Sequence, residues 1–379
     1  MYQSIKSTFI DLFSKEPLLV YSPGRINLIG EHTDYNGGYV LPAAIDKKMV
    51  VAIAANDSGI GRIYSVDFKE EFSFDIASFS PKKGHWATYV MGVVSQLQQA
   101  GYAVKGFDMV FGGDIPVGAG LSSSAALECA VGFALSELFG LNIPKKSIVH
   151  YAQKAEHTFA GVQCGIMDQF ASVMGKKSHA IRLDCRTLEF DYFPIDLGAY
   201  KILLIDTQVK HSLADSAYNQ RRLECEEGVS AAKQIQSDIK DLRDVSLDLL
   251  GQLDLPSVVY DRCRFVVEEN QRVLDSCDLL SKGDLEGFGE KVYQSHEGLS
   301  KLYEVSCDEL DFLVDYTKEV SGVLGSRMMG GGFGGCTINI VHEDIIGQLQ
   351  KDVSEAYERK FNKSPKFYIV SPEEGTGLL

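Results

Sequence analysis

Apolar and polar positions alternate along the chain with two periods, and the switches between them outline its elements. Residues 1–10 read as an amphipathic helix. Runs rich in β-branched and aromatic residues predict strands at 18–21, 39–45, 49–54 and 106–111, with weaker ones near 62–66 and 71–74. Ser22-Pro23-Gly24 reads as the end of the first strand, and Asn36-Gly37 as a tight turn. A helical period fills 85–100, 123–139, 145–161 and 166–173, and alternation returns at 179–184, 188–193 and 201–206. Beyond Asp215 the pattern becomes charged and helical, most clearly at 218–233 and 258–274, and it continues through 284–303 and 308–320. A glycine-rich stretch, Met328-Met-Gly-Gly-Gly-Phe-Gly-Gly335, precedes a strand at 336–341, a helix at 344–360 and a last strand at 366–370. The pattern predicts an α+β chain in two halves, 1–198 and 199–379.

Composition narrows the partners. A formal net charge of −15 over 379 residues argues against nucleic acid or an anionic membrane surface as a partner. A polyanionic substrate would need local help from cations, helix dipoles or metal. No apolar run approaches the roughly 20 residues of a membrane span. The start of the chain lacks the basic and apolar regions of a secretory signal. Eight cysteines are scattered with no C-x-x-C pair, which predicts free thiols in a reducing cytoplasm and no thiolate zinc site.

The stretch Pro116-Val-Gly-Ala-Gly-Leu-Ser-Ser-Ser-Ala-Ala126 joins the strand at 106–111 to the helix at 123–139. Its glycines allow close backbone approach, its serines offer hydroxyls, and a helix N-terminus offers unpaired N–H groups and a positive dipole end. These features suit an anion, phosphate first. Taken alone, the stretch reads equally well as a capped helix after a glycine turn.

Familiar phosphate motifs fit poorly elsewhere. A Walker A loop is absent: Gly175-Lys176 comes nearest, but Phe170 stands where its first glycine belongs. The His-Arg-Asp and Asp-Phe-Gly signatures of protein kinases are absent too. Gly330, Gly332 and Gly335 spell G-x-G-x-x-G, yet that fingerprint must open a helix and here a strand-like run follows. What remains is the 116–126 loop, the late glycine stretch, and Pro23-Gly-Arg-Ile-Asn-Leu-Ile-Gly-Glu-His-Thr-Asp-Tyr-Asn-Gly-Gly38. In that combination the chain resembles the GHMP kinases over nearly its whole length, and the Pro23–Gly38 segment is similar to the signature of the galactokinase family.

The resemblance implies a two-domain GHMP architecture: a ribosomal protein S5 domain 2-like N-terminal unit, an α+β C-terminal unit, and an active site between them. Its substrates would be a small sugar, galactose, and Mg-ATP, with no nucleic acid or membrane partner. Glu31, His32 and Asp34 would bind sugar hydroxyls, with Thr33 between them and with Gly165 and Tyr218 nearby. Any one of these polar residues alone would read as part of a solvated turn. Asp168, in Cys164-Gly-Ile-Met-Asp-Gln-Phe170, matches the family's proposed catalytic base, and Arg25 its cationic partner. A carboxylate beside an arginine is a weak base in general. Asp168 therefore either takes the proton late or chiefly orients the hydroxyl.

Gly118, Ala119, Gly120, Leu121, Ser122, Ser123 and Ser124 would cradle the nucleotide phosphates. Trp86 and Tyr89 match an adenine-pocket position, although their spacing alone suggests core packing. Ser124 and Glu156 match positions used for Mg2+, and a hydroxyl and a carboxylate suit that ion. The implied reaction is phosphorylation of α-D-galactose at its anomeric hydroxyl. Rivals are a kinase for N-acetylgalactosamine, arabinose or galacturonate, and a non-catalytic sugar and ATP sensor on the same fold.

Overall fold

The computed structural model describes residues 2–116, 118–209 and 214–379; Val117 of the glycine–serine loop and residues 210–213 lie outside the described residues. In chain order the first half runs α1 (Tyr2–Phe13), β1 (Leu18–Asn27), β2 (Tyr39–Val40), β3 (Pro42–Ala55), β4 (Ile60–Ser65), β5 (Glu70–Asp75), α2 (Ala87–Gln99) and β6 (Phe107–Gly113). It continues through α3 (Ser123–Leu138), α4 (Lys145–Ala155), α5 (Met167–Met174), β7 (His179–Asp184) and β8 (Phe190–Pro194). The second half holds β9 (Tyr200–Asp206), α6 (Ala214–Ile235), α7 (Leu247–Leu250), α8 (Ser257–Lys282), α9 (Leu285–Lys301) and α10 (Asp308–Lys318). It closes with β10 (Val323–Met328), β11 (Cys336–His342), α11 (Ile346–Phe361), β12 (Lys366–Val370) and β13 (Gly377–Leu378).

Six strands form the first sheet, in the order β13-β1-β3-β6-β4-β5. Only β4 and β6 run parallel. The continuous apolar run Met49–Ala54 follows from cover on both sides. Val51 and Ile53 join the main core with α2 and α3, while Val50 and Ala52 pack with Ile5 and Phe9 of α1 on the opposite face. A second sheet has the order β10-β11-β9-β12, and β2-β7-β8 form a third. In β9 alternation again sorts the side chains: Ile202 and Leu204 continue the main core, and Leu203 and Ile205 pack against α10 and α11.

Several sequence expectations change. The first strand does not stop at Ser22-Pro23-Gly24; β1 runs on to Asn27, with a register shift against β3 between Pro23 and Arg25. The strands expected at 39–45 and 49–54 become the short β2 and one long β3, because Asp46–Lys48 stay extended between two apolar runs. The helix expected over 145–161 ends as α at Ala155 and widens into a π-helical turn at Glu156–Ala160. The pattern did not indicate β10 or β13.

Three connections carry the residues of interest. They are the segment after β1, the loop between β6 and α3, and the glycine-rich link between β10 and β11. None of the described helices is long and apolar enough to cross a membrane.

Candidate active site

Arg25 stands where β1 shifts register, and its own N–H donates to the Leu121 carbonyl at 3.2 Å. The side chain is buried, and its direction is set at both ends. Nη1 donates to the Gly120 carbonyl at 2.5 Å, while Nε and Nη2 donate to the two oxygens of Asp168 at 2.8 Å each. Burial disfavours the charged guanidinium, but Asp168 and Glu31 outweigh it and the Arg25 pKa is raised. Asp168 lies in the first turn of α5 and also accepts from Ser122 Oγ at 2.5 Å.

That last bond changes the expected N-cap of α3. Ser122 takes a left-handed backbone (φ +59) and makes no capping bond to the helix. Its hydroxyl serves Asp168 instead, so among the described residues the N-cap side chain leaves the α3 N-terminus uncapped. Gly118 and Gly120 shape the approach with positive φ, whereas Ala119 and Leu121 point into the core and can offer only their backbone. Ser124 Oγ donates to Glu156 Oε1 at 3.1 Å, and Gln169 Nε2 donates to Glu156 Oε2 at 2.8 Å. Glu156 opens the π-helical turn, a distortion often found at functional sites. Burial and the charge of Asp168 push its carboxyl up to about 7.

The cavity beside this pair holds about 210 Å³ and is lined by Arg25, Glu31, His32, Asp34, Gly165, Asp168, Tyr218 and Gly330–Phe333 among others. Glu31 is buried, and its Oε1 accepts from Gly330 N at 2.8 Å and from Arg327 Nη2 at 3.1 Å. His32 has left-handed φ (+63), and its Nδ1 meets Tyr35 Oη at 2.7 Å. Burial pushes its imidazole down to about 3, with the Gly331 backbone pulling the other way.

Asp34 packs against the main chain of Gly165, where an added Cβ would lie 1.6 Å from Oδ2. Only glycine fits there. Burial first, and the nearby Asp168 second, push the Asp34 carboxyl up to about 7. Tyr218, from α6, closes the side with its ring centroid 5.3 Å from that of His32. Thr33 is the exception among the expected sugar residues. It does not line the cavity, and its hydroxyl is spent on the carbonyls of Gly30 and Tyr39 at 2.9 and 2.6 Å.

A second cleft adjoins the first at Val162. Its walls include Trp86, Tyr89, Ser123, Ser124, Leu127 and Phe159. Trp86 is mostly core: it is 8% exposed, its indole N–H donates to Glu70 at 2.8 Å, and it packs on Phe111. It therefore offers the cleft little free surface for stacking. Ser124 and Glu156 stand at the seam of the two cavities.

Sequence reasoning missed Arg327, a single arginine before Met328-Met329 with no local signal, which is fully buried against Glu31. It missed Glu128 on α3, whose carboxyl is raised well above the usual range by burial and by Glu156. It also missed Tyr35, although that residue lies inside the quoted signature.

Three family models match: the galactokinase galactose-binding signature at residues 7–55, the GHMP kinases N terminal domain at 88–176, and the GHMP kinases C terminal at 278–359. The galactokinase of Thermotoga maritima is 43% identical over 94% of this chain and 98% of its own length. That of Thermosipho africanus is 45% identical over the same shares. The crystal structure of Lactococcus lactis galactokinase complexed with galactose superposes with a TM-score of 0.95 at 37% identity, covering 100% of this chain and 99% of that one. A mevalonate kinase shares the fold at a TM-score of 0.66 and 18% identity, over 93% of this chain and 98% of its own. The chain therefore belongs to the galactokinase family of the GHMP kinases and is an ATP-dependent sugar kinase.

Proposed function

We propose that the chain transfers the γ-phosphoryl group of ATP to the anomeric hydroxyl of α-D-galactose, giving galactose 1-phosphate and ADP. The observation that carries this reading is the Arg25–Asp168 pair, bidentate at 2.8 Å, on the wall of the acidic cavity that adjoins the serine-lined cleft. In this reading galactose occupies the first cavity and ATP the second. Glu31 and Asp34 accept hydrogen bonds from sugar hydroxyls, and a sugar lacking one leaves a buried polar group unpaired. The glycine–serine loop and the open end of α3 receive the phosphates.

Phosphoryl transfer is mostly positioning and charge stabilisation. Arg25 holds Asp168 in place and lends positive charge to the transferring group. Asp168 orients the anomeric hydroxyl and takes its proton late, as the new P–O bond forms. Ser124 and Glu156 would hold Mg2+. A hydroxyl 3.1 Å from a buried carboxylate, with Glu128 buried beside it, suits a hard cation that completes its shell with phosphate oxygens and water. When bound, the ion offsets phosphate charge. The eight cysteines are free thiols, which supports a cytoplasmic setting. The division into lobes at 198/199 is part of the same proposal, with β13 returning to pair with β1 of the first lobe.

A coupled ADP-release assay over a sugar panel tests the reading. Turnover should be fastest on galactose. Faster turnover on N-acetylgalactosamine, arabinose or galacturonate would replace it with a kinase for that sugar. Tight binding of galactose and ATP with no ADP release would make the chain a sensor.

A further inference from the structure

His32 sits on the cavity wall with its two ring nitrogens in different surroundings. Nδ1 is 2.7 Å from Tyr35 Oη, which is 2.8 Å from Tyr303 Oη. Tyr303 Oη in turn lies 3.2 Å from Cys225 Sγ on α6, and Asn36 Nδ2 reaches the same sulfur at 3.6 Å. One line of polar atoms therefore runs from α6 to the cavity through otherwise buried aromatic rings.

Asn36 Nδ2 also donates to the His32 carbonyl at 2.8 Å. A carbonyl only accepts, so this atom is the amide nitrogen, and it is the donor to Cys225. With one lone pair of the sulfur taken by Asn36, the thiol and the Tyr303 hydroxyl share the 3.2 Å contact, in which either atom could donate. If the thiol gives its hydrogen to Tyr303, then Tyr303 gives its own to Tyr35, and Tyr35 gives its own to His32 Nδ1. An imidazole that accepts at Nδ1 carries its hydrogen at Nε2. The cavity end agrees. Nε2 is buried with no hydrogen-bond partner among the described residues, and the nearby Gly331 backbone favours a proton on the ring. The ring is kept neutral by burial, so it bears a single proton to place.

We propose that Tyr35, Tyr303, Cys225 and Asn36 are positioning residues that fix His32 as its Nε2–H tautomer, aimed at a sugar oxygen. The proposal rests on the reading of the first cavity as the sugar site. Its consequence is specificity. Sugar hydroxyls both give and take hydrogen bonds, whereas a carboxylate without its proton only takes them. His32 supplies the donor that such carboxylates cannot, and a sugar with no oxygen at that place leaves a buried N–H unpaired.

The test is 15N NMR of the full chain labelled at histidine, with the His32 signals assigned by their loss in His32→Gln. The expected result for the free wild type is a bare Nδ1 and a protonated Nε2. Tyr35→Phe should mix in the Nδ1–H form. Tyr303→Phe should do so less, because Tyr35 keeps its hydroxyl, and it serves as the second variant should Tyr35→Phe fold poorly. Calorimetry should show Tyr35→Phe binding galactose about tenfold more weakly, the loss of one buried hydrogen bond. That loss should vanish for the one monodeoxygalactose lacking the oxygen that Nε2–H meets.

A wild-type proton on Nδ1, a tautomer unmoved by Tyr35→Phe, or equal losses over the whole deoxy panel would each overturn the proposal. If the wild type bound no galactose, the sugar-site reading would fail, while the NMR of the free protein would still decide the tautomer.

Discussion

Arg327 and Glu31, separated by 296 residues, form an ion pair at 3.1 Å with both side chains buried. The same guanidinium donates to the carbonyls of Asn27, Leu28 and Met328. It thereby ties the segment after β1 to the end of β10 and brings Gly330 N within 2.8 Å of Glu31. A buried pair of this kind is costly to break from one side, because the partner charge is left uncompensated.

Arg327→Met should therefore lower stability by about 3–5 kcal/mol in urea unfolding. Adding Glu31→Gln should restore part of that loss, since the stranded charge is gone. Strictly additive effects in the double variant would show that the two residues are not coupled.

Gly165→Ala tests a backbone made close by necessity. Its new Cβ would overlap Asp34 Oδ2 at 1.6 Å, and the carboxylate would have to turn away. The expected outcome is a roughly 10- to 100-fold loss of galactose affinity, the worth of one hydrogen bond to a charged acceptor. The melting temperature should change little, because the carboxylate can swing toward the cavity. Unchanged affinity measured by calorimetry would remove Asp34 from the sugar site.

The residues of this site were legible in the sequence where a continuous segment carries them. Arg25 to Asp34 lie within ten residues, and the serine loop is similarly compact. Arg327, Glu128, Tyr303 and Cys225 were not legible, because each acquires its role from a partner far along the chain. The fold divides the same way. The covered strand β3 announces itself by apolar runs, and β9 by alternation. Two-residue β13 exists only because Val20 and Tyr21 of β1 receive it. The Pro23-Gly24 pair reads as a stop, yet the strand absorbs it as a register shift. That shift is what places Arg25 at Asp168.

The raised Asp34 gives a pH signature. Its folded-state value, pushed up to about 7 mainly by burial, lies above the ordinary carboxylate value. The sign follows: the folded free protein holds this proton more tightly than the unfolded chain. The contribution to stability is fully present below the unfolded value of roughly 4, and it is lost as pH rises toward about 7. A sugar hydroxyl donating to Asp34 favours the ionised form. Galactose binding should therefore tighten by about tenfold per pH unit up to about 7 and then level off. In Asp34→Asn this rise should be absent, although binding is weaker throughout. A rise that persists in that variant would assign the proton to another group.

Asp168→Asn separates chemistry from binding. The substitution keeps the shape of the side chain and one oxygen for Arg25, but it cannot take a proton and turns an N–H donor toward the guanidinium or Ser122. Turnover should fall on the order of a thousandfold, within the range for losing a positioned acid–base group. Galactose affinity should stay within about tenfold of the wild type, because Glu31, His32 and Asp34 remain in place. Coupled ADP release and calorimetry on the same preparation provide both numbers. A variant that still turned over near the normal rate would reduce Asp168 to a support for Arg25, and proton acceptance would have to be assigned elsewhere in the cavity. Loss of binding and turnover together would mean that the Arg25–Asp168 pair holds the cavity open, and its role would be structural before it is chemical.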